Sequence, residues 1–149
     1  MFRGRFEHSI DEKNRLAIPA RFRESLVAEG NPEPVIVTNL DQCLCAYPLR
    51  EWERVERLCQ SLPQFDANVL AFQRYFLSSA TECPIDKAGR ITIPPTLRDF
   101  ARLRHDCIIL GNLNKFEIWS KERWDLAFAG MADGFERMTT AINTLGVRI

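Results

Sequence analysis

Residues 11–23 read DEKNRLAIPARFR, and residues 86–98 read DKAGRITIPPTLR. Asp11, Arg15, Ile18, Pro19 and Arg23 recur as Asp86, Arg90, Ile93, Pro94 and Arg98 at a constant offset of 75, and upstream Glu7 and Ile10 recur as Glu82 and Ile85. Downstream the offset shortens to 72: Val35-Ile36-Val37 matches Cys107-Ile108-Ile109, Leu44 matches Phe116, Tyr47 matches Trp119, and Trp52 matches Trp124. Three residues are lost between Arg98 and Cys107, where a loop tolerates deletion. Chance does not keep this order over so long a stretch, so the chain is a tandem duplication.

Each copy can be read from its periodicity. Phe2, Gly4, Phe6, His8 and Ile10 alternate with polar residues, the pattern of a half-buried strand. Asp11 to Asn14 forms a polar turn, and Leu16 and Ile18 alternate in a short second strand. Pro19 suits the first position of a helix carrying Phe22 and Leu26, with Gly30 as its C-terminal stop. Strands are expected at Val35 to Thr38 and Leu44 to Tyr47. The second copy gives strands at Thr81 to Ile85 and Arg90 to Ile93, a short helix around Leu97 to Leu103, then strands at Cys107 to Leu110 and Phe116 to Trp119. Between the copies, one helix aligns Trp52, Val55, Cys59 and Leu62 and ends at Pro63, and a second, capped by Asp66, carries Val69, Phe72 and Phe76. Ser120 caps a helix with Trp124, Ala127, Phe128 and Met131, and Phe135, Met138, Ile142 and Leu145 keep helical spacing beyond it. The organisation expected is module 1 over 5–51, a helical linker over 52–79, module 2 over 80–123, and a helical extension over 124–149.

Composition sets bounds. Of 149 residues, 46% are hydrophobic and 27% charged, as in a soluble folded protein. A module of about seventy residues buries little apolar surface and leans on a metal, a disulfide or a partner. No apolar run approaches the roughly 20 residues that span a bilayer, and MFRGRFEH places charges where a signal peptide needs an apolar core, so the expectation is a cytoplasmic protein without membrane contact. Cys43, Cys45, Cys59, Cys83 and Cys107 show no CxxC spacing and read as small core hydrophobes rather than metal ligands. The formal charge is zero, which argues against nucleic-acid binding by bulk charge, yet the cations cluster. Residues 84–105 hold Lys87, Arg90, Arg98, Arg102 and Arg104 against Asp86 and Asp99, and the first 25 residues hold Arg3, Arg5, Lys13, Arg15, Arg21 and Arg23 against Glu7, Asp11, Glu12 and Glu24. Such local patches serve phosphate contact.

The twice-occurring Asp-x-x-x-Arg loop is the main functional candidate, and its spacing suits two roles. Asp at a strand end can fix a tight turn through its own backbone, with Arg pairing to it at the surface. Alternatively Asp orients the loop and restricts the Arg rotamers, so that the guanidinium fork is presented to phosphate or guanine. Spacing alone does not separate them.

The segments MFRGRFEHSID, KNRLAIPARFR, LDQCLCAYPLREWE, ATECPIDKAGRITIP and NKFEIWS together resemble the MraZ family over nearly the whole chain, and each module resembles the SpoVT–AbrB swapped-hairpin domain. The resemblance implies an α+β fold of mainly β modules, a double-split β-barrel with flanking helices. It also implies a nucleoid-associated, DNA-binding transcriptional regulator that assembles into ring-like homo-oligomers. Such regulators recognise short repeats in double-stranded promoter DNA upstream of the operon for cell-wall synthesis and division, commonly their own. By matching position it assigns DNA contact to Arg15, Arg90, Lys13 and Lys87, and loop orientation to Asp11 and Asp86. Arg23 and Arg98 join the DNA-contacting set by analogy with the basic residues that follow such loops. No cofactor, metal or small-molecule ligand is implied. Family loops usually read Lys-Gly-Arg; Ala88-Gly89-Arg90 is close to that, whereas Asn14 replaces the glycine in the first loop. Asn tolerates positive φ, so the turn is expected to survive, and only the equality of the two loops' shapes is open.

Two other classes compete. An enzyme would need a nucleophile beside a base, or titratable groups in a shared pocket. The repeat matches His8 only with Cys83, and no glycine-rich phosphate loop occurs. An antitoxin-like protein-binding module would usually carry a disordered, partner-wrapping tail, whereas this C-terminus has amphipathic helical spacing.

Overall fold

The computed structural model describes residues 1–28 and 31–148. The chain is α+β, with mostly antiparallel strands. In order its elements are β1 (Arg5–Ser9), β2 (Arg15–Ala17), α1 (Ala20–Leu26), β3 (Val27–Ala28), β4 (Asn31–Pro32), β5 (Val35–Leu40), β6 (Cys43–Pro48), α2 (Leu49–Gln60) and α3 (Ala67–Phe72), which runs into a π-helical turn (Gln73–Leu77). The second copy follows as β7 (Thr81–Cys83), β8 (Arg90–Thr92), α4 (Pro95–Ala101), β9 (Asp106–Asn112), β10 (Lys115–Ser120), α5 (Lys121–Asp133) and α6 (Phe135–Thr144).

The two copies are interleaved. One six-stranded antiparallel sheet runs β1-β9-β10-β6-β5-β7, so the first strand of each copy pairs with a later strand of the other: β1 with β9, and β7 with β5. The β10–β6 pair joins the copies at the centre. The second strands form a separate ribbon, β2 with β8, in the register Arg15↔Thr92, Leu16↔Ile91, Ala17↔Arg90. The described pairings therefore make an open sheet plus two short ribbons, β2–β8 and β3–β4, with the tandem repeats exchanging strands.

β5 and β6 are apolar nearly throughout because both their faces are covered. On one face Val35, Val37, Leu44 and Ala46 join Leu16, Ile91, Ile93, Ile109, Phe116 and Ile118 in the main core beneath the β2–β8 ribbon. On the other, Ile36, Cys45 and Tyr47 pack with Trp52 of α2 and with Phe76, while Cys43, Ile108 and Trp119 pack against Trp124 and Ala127 of α5. Phe22 of α1 sits in an aromatic cluster, its centroid 5.2 Å from that of Phe2 and 5.3 Å from those of Phe6 and Phe116. Truncating so enclosed a ring costs about 3–5 kcal/mol. The lead-in to β1 lies against Gly111, where a Cβ would fall 2.3 Å from the Phe2 carbonyl carbon; only glycine permits that approach.

Some boundaries differ from the sequence reading. Pro19 is the residue before α1 rather than its first, and in the second copy Pro94 holds that place with Pro95 at the first turn. α1 stops at Leu26, because Val27 is extended and enters a two-residue ribbon with Asn31–Pro32; Gly30, the expected stop, lies outside the described residues. β7 ends at Cys83 rather than Ile85, since Pro84 has no N–H to donate. α2 begins at Leu49, ahead of Trp52. The Asp66 and Ser120 caps form as expected: Asp66 accepts from the amides of Asn68 and Val69, and Ser120 Oγ from that of Arg123. All five cysteines are buried and free, and burial pushes the Cys83 and Cys107 thiols up to about 11. α6 follows the expected spacing, but Phe135, Met138 and Leu145 are exposed. No helix among the described residues is long and apolar enough to cross a membrane.

Candidate nucleic-acid interface

The site grows from the β2–β8 ribbon. Strand alternation sends Leu16 and Ile91 into the core, each 1% exposed, so Arg15 and Ala17 of one strand and Arg90 and Thr92 of the other share the opposite, outward face. The register places Arg15 and Arg90 diagonally across that face. The loops also close each other's strands: the Ile93 amide donates to the Asn14 carbonyl (2.8 Å), and the Ile18 amide to the Gly89 carbonyl (2.9 Å).

Within each loop the same hydrogen bonds repeat. Asp11 Oδ1 accepts from the amides of Lys13 (2.9 Å) and Arg15 (2.8 Å), and Asp86 Oδ1 from those of Ala88 and Arg90 (both 2.9 Å). The second oxygen takes the Nε–H of the arginine, at 2.7 Å for Arg15 and 3.0 Å for Arg90. The Arg15 amide, aided by its guanidinium, holds the Asp11 carboxyl below the usual carboxylate range, and the Arg90 amide does the same for Asp86. One oxygen of each aspartate holds the turn and the other pairs with the arginine side chain, a geometry common to both roles that spacing left open. Because each guanidinium is held through Nε, both of its Nη groups remain without a hydrogen-bond partner among the described residues. That leaves a planar two-pronged donor facing outward, the fork that matches phosphate or the guanine edge.

The other cations fall into two groups. Lys13 and Lys87 are exposed on the loop tips, but they are not repeat equivalents, since Lys13 matches Ala88 and Lys87 matches Glu12. Arg23 and Arg98 lie beneath the loops and cross over, each reaching the loop of the other copy. Arg98 Nη1 donates to the Asp11 carbonyl (2.9 Å) and to Asn14 Oδ1, Nε to the Leu103 carbonyl (2.8 Å), and Nη2 to the Arg104 carbonyl (2.8 Å). Its Nη1 donors hold loop 1, Asp11–Arg15, while Nε and Nη2 hold the turn after α4. Arg23 lies against Gly89 of loop 2, Asp86–Arg90: a Cβ there would fall 2.4 Å from Arg23 Nη1, and Arg23 Nε is buried without a partner among the described residues. The analogy that groups these two arginines with the loop tips does not extend to their surroundings.

Asn14 and Gly89 adopt the same left-handed conformation, φ 63° and 78°. The Asn14 side chain accepts from Arg98, a contact the sequence reading does not contain. Its partner is 84 residues away in sequence, so no local signal announces it.

With this geometry in view, the chain matches, twice in succession, the model of a family described as "MraZ protein, putative antitoxin-like", over residues 1–75 and 76–142. It is 46% identical over 149 residues to a transcriptional regulator MraZ of Pelotomaculum thermopropionicum, with both chains covered in full. It is 45% identical over 143 residues to that of Limosilactobacillus reuteri, covering 96% of this chain and 98% of the relative. With that of Desulforamulus reducens it shares 44% over 142 residues, covering 95% and 97%. A family model that fits both copies and relatives that align along nearly the whole length place this chain in the MraZ family.

Proposed function

We propose that the protein is a transcriptional regulator that binds double-stranded promoter DNA through its two Asp-x-x-x-Arg loops. The observation that carries this reading is the β2–β8 ribbon with Arg15 and Arg90 on one outward face, each clamped through Nε with both Nη groups open. A two-stranded ribbon fits the major groove, where arginine pairs with the O6 and N7 acceptors of guanine. Lys13 and Lys87 at the loop tips supply phosphate contacts, while Asp11 and Asp86 orient the arginines. Arg23 and Arg98 serve the loops from beneath. The relatives' description as transcriptional regulators supports the same reading, which has no catalytic step.

The finer picture follows the family resemblance: a cytoplasmic, nucleoid-associated repressor of its own cell-wall and division operon, working as a ring-like homo-oligomer. The exposed apolar residues Phe135 and Met138 of α6 and Leu145 just after it suit burial between protomers, and linking several weak sites raises avidity without new contacts. A protein-gripping, antitoxin-like module is the second reading, favoured by the matching family's description as putative antitoxin-like.

Mobility shift and anisotropy titrations with DNA from upstream of the chain's own gene test the proposal. Arg15→Ala and Arg90→Ala should leave the fold and oligomeric state intact, because a surface ion pair contributes only about 0–1 kcal/mol. Operator binding should nonetheless fall at least tenfold, with base discrimination reduced by about 1–3 kcal/mol for each bidentate arginine removed. Parental binding by both variants would reduce the loops to turns.

A further inference from the structure

The two loops carry different charge. In loop 1 Asp11 and Glu12 balance Lys13 and Arg15, whereas in loop 2 Lys87 and Arg90 exceed Asp86. Loop 1 nevertheless has more cations beside it, Arg98, Arg102 and Arg104, where loop 2 has Arg23. Arg98, bonded to Asp11 and Asn14, also binds the carbonyls of Leu103 and Arg104, so the turn after α4 is fixed one guanidinium's width from loop 1. That turn is well defined. Arg102 is left-handed (φ 54°), its amide closes on the Arg98 and Asp99 carbonyls, and Leu103 is buried. The next residues continue the join, since the Ile10 amide donates to the His105 carbonyl at 2.8 Å.

Arg102 and Arg104, on either side of buried Leu103, are both exposed, and neither joins an ion pair among the described residues. They line an open groove with Arg98 and Asp99 that continues past Glu122 and Arg123. Two other acids nearby are occupied: Asp106 is held by His105 and Ser9, and Asp125 by Lys121. In the first copy the matching stretch, residues 24–34, holds no arginine or lysine, so loop 2 has no such pair at the equivalent place.

We infer that Arg102 and Arg104 form a phosphate clamp beside loop 1, making it the anchored side of an asymmetric DNA-reading face. The inference rests on the DNA-binding reading of the loops and adds residues that the loop motif does not contain. A clamp of this kind holds the duplex backbone without reading sequence. It supplies the excess positive charge that loop 1 lacks and gives the binding face a direction along the duplex.

The test is salt-dependent binding of Arg102→Gln/Arg104→Gln to two duplexes: DNA from upstream of the chain's own gene, and a scrambled sequence of the same composition. Thermal melting and sedimentation should match the parent. Affinity for both duplexes should fall by a similar factor, and the slope of log K against log salt should shrink by about 0.9 for each phosphate per bound protomer that the variant leaves unneutralised. Hydroxyl-radical protection should weaken on one flank of the footprint only. An unchanged slope overturns the clamp, as does a loss confined to the specific duplex, which would mean base reading. Arg15→Ala in parallel separates the two ideas. If Arg15→Ala abolishes specific binding while the double variant keeps the parental slope, the clamp fails and the loops stand. If the double variant flattens the slope while Arg15→Ala binds normally, the clamp stands and the loop reading fails.

Discussion

Loop 1 and loop 2 have the same hydrogen-bonded turn, the same left-handed residue and the same Nε clamp, yet they are supported from beneath in different ways. Loop 1 rests on Arg98, whose donors reach two carbonyls of the turn after α4, one carbonyl of the loop and the Asn14 amide oxygen. Loop 2 rests on Arg23, packed tightly over Gly89 with its Nε buried and unpaired among the described residues. Duplication copied the motif and the arginine, but the side chain that satisfies the arginine exists in one copy only. A motif thus reports what a site presents outward, while its rigidity depends on partners the motif does not include.

The widest gap between the loops should appear on truncating the two arginines. Arg98→Ala strands carbonyls that charged hydrogen bonds now satisfy, and should cost about 3 kcal/mol, whereas Arg23→Ala removes a buried unpaired donor and should cost about 1 kcal/mol or less. Urea denaturation of both variants measures this; equal losses would erase the asymmetry. A smaller effect is expected from exchanging the left-handed residues. Asn14→Gly loses one partner of Arg98 and should destabilise by about 1 kcal/mol. Gly89→Asn crowds Arg23 and should be mildly destabilising in the parent but neutral in an Arg23→Ala background, a coupling that a double-mutant cycle reads directly.

The smallest effect is in acid. Asp11 and Asp86 have carboxyls lowered from 3.8, so their contribution is present above that value and is lost as pH falls through the lowered folded-state values. Both turns should loosen in that window, loop 1 less readily because Arg98 holds its backbone carbonyl whether or not Asp11 is charged. Amide chemical shifts of Lys13 and Ala88, followed as pH is lowered, report the two loops separately. Identical titrations would show that the Arg98 brace adds nothing to the turn.

Much of this is legible in the chain. The 75-residue offset locates both loops and the ribbon strands, and alternation identifies Leu16 and Ile91 as core residues. Asp66 and Ser120 announce two helix starts because capping is local chemistry. What stays hidden is long-range. Periodicity tells which face of β1 is buried but not that its partner is β9, and nothing near Arg98 indicates that it ends under Asp11. Arg23 and Arg98 look alike in sequence, which is why they fall into one group there. Their difference lies in Asn14 against Gly89, a contrast visible in the sequence as tolerance of positive φ but not as a bonding partner. The β3–β4 ribbon escapes because Val27 and Pro32 carry no alternation over two residues.

The pairing of β1 with β9 also bears on how the molecule is made. The N-terminal strand emerges from the ribosome long before its neighbour in the sheet is synthesised, so it must wait unpaired, and folding must close nearly the whole chain before the sheet is complete. Such topologies fold slowly and expose strand edges to other molecules in the interval. On a crowded polysome the nearest available β9 could belong to a sister chain, and the exchange that joins two repeats within one molecule would then join two molecules. Arg3 and Arg5, beside that waiting edge, carry charge that discourages indiscriminate pairing while the rest of the polypeptide arrives.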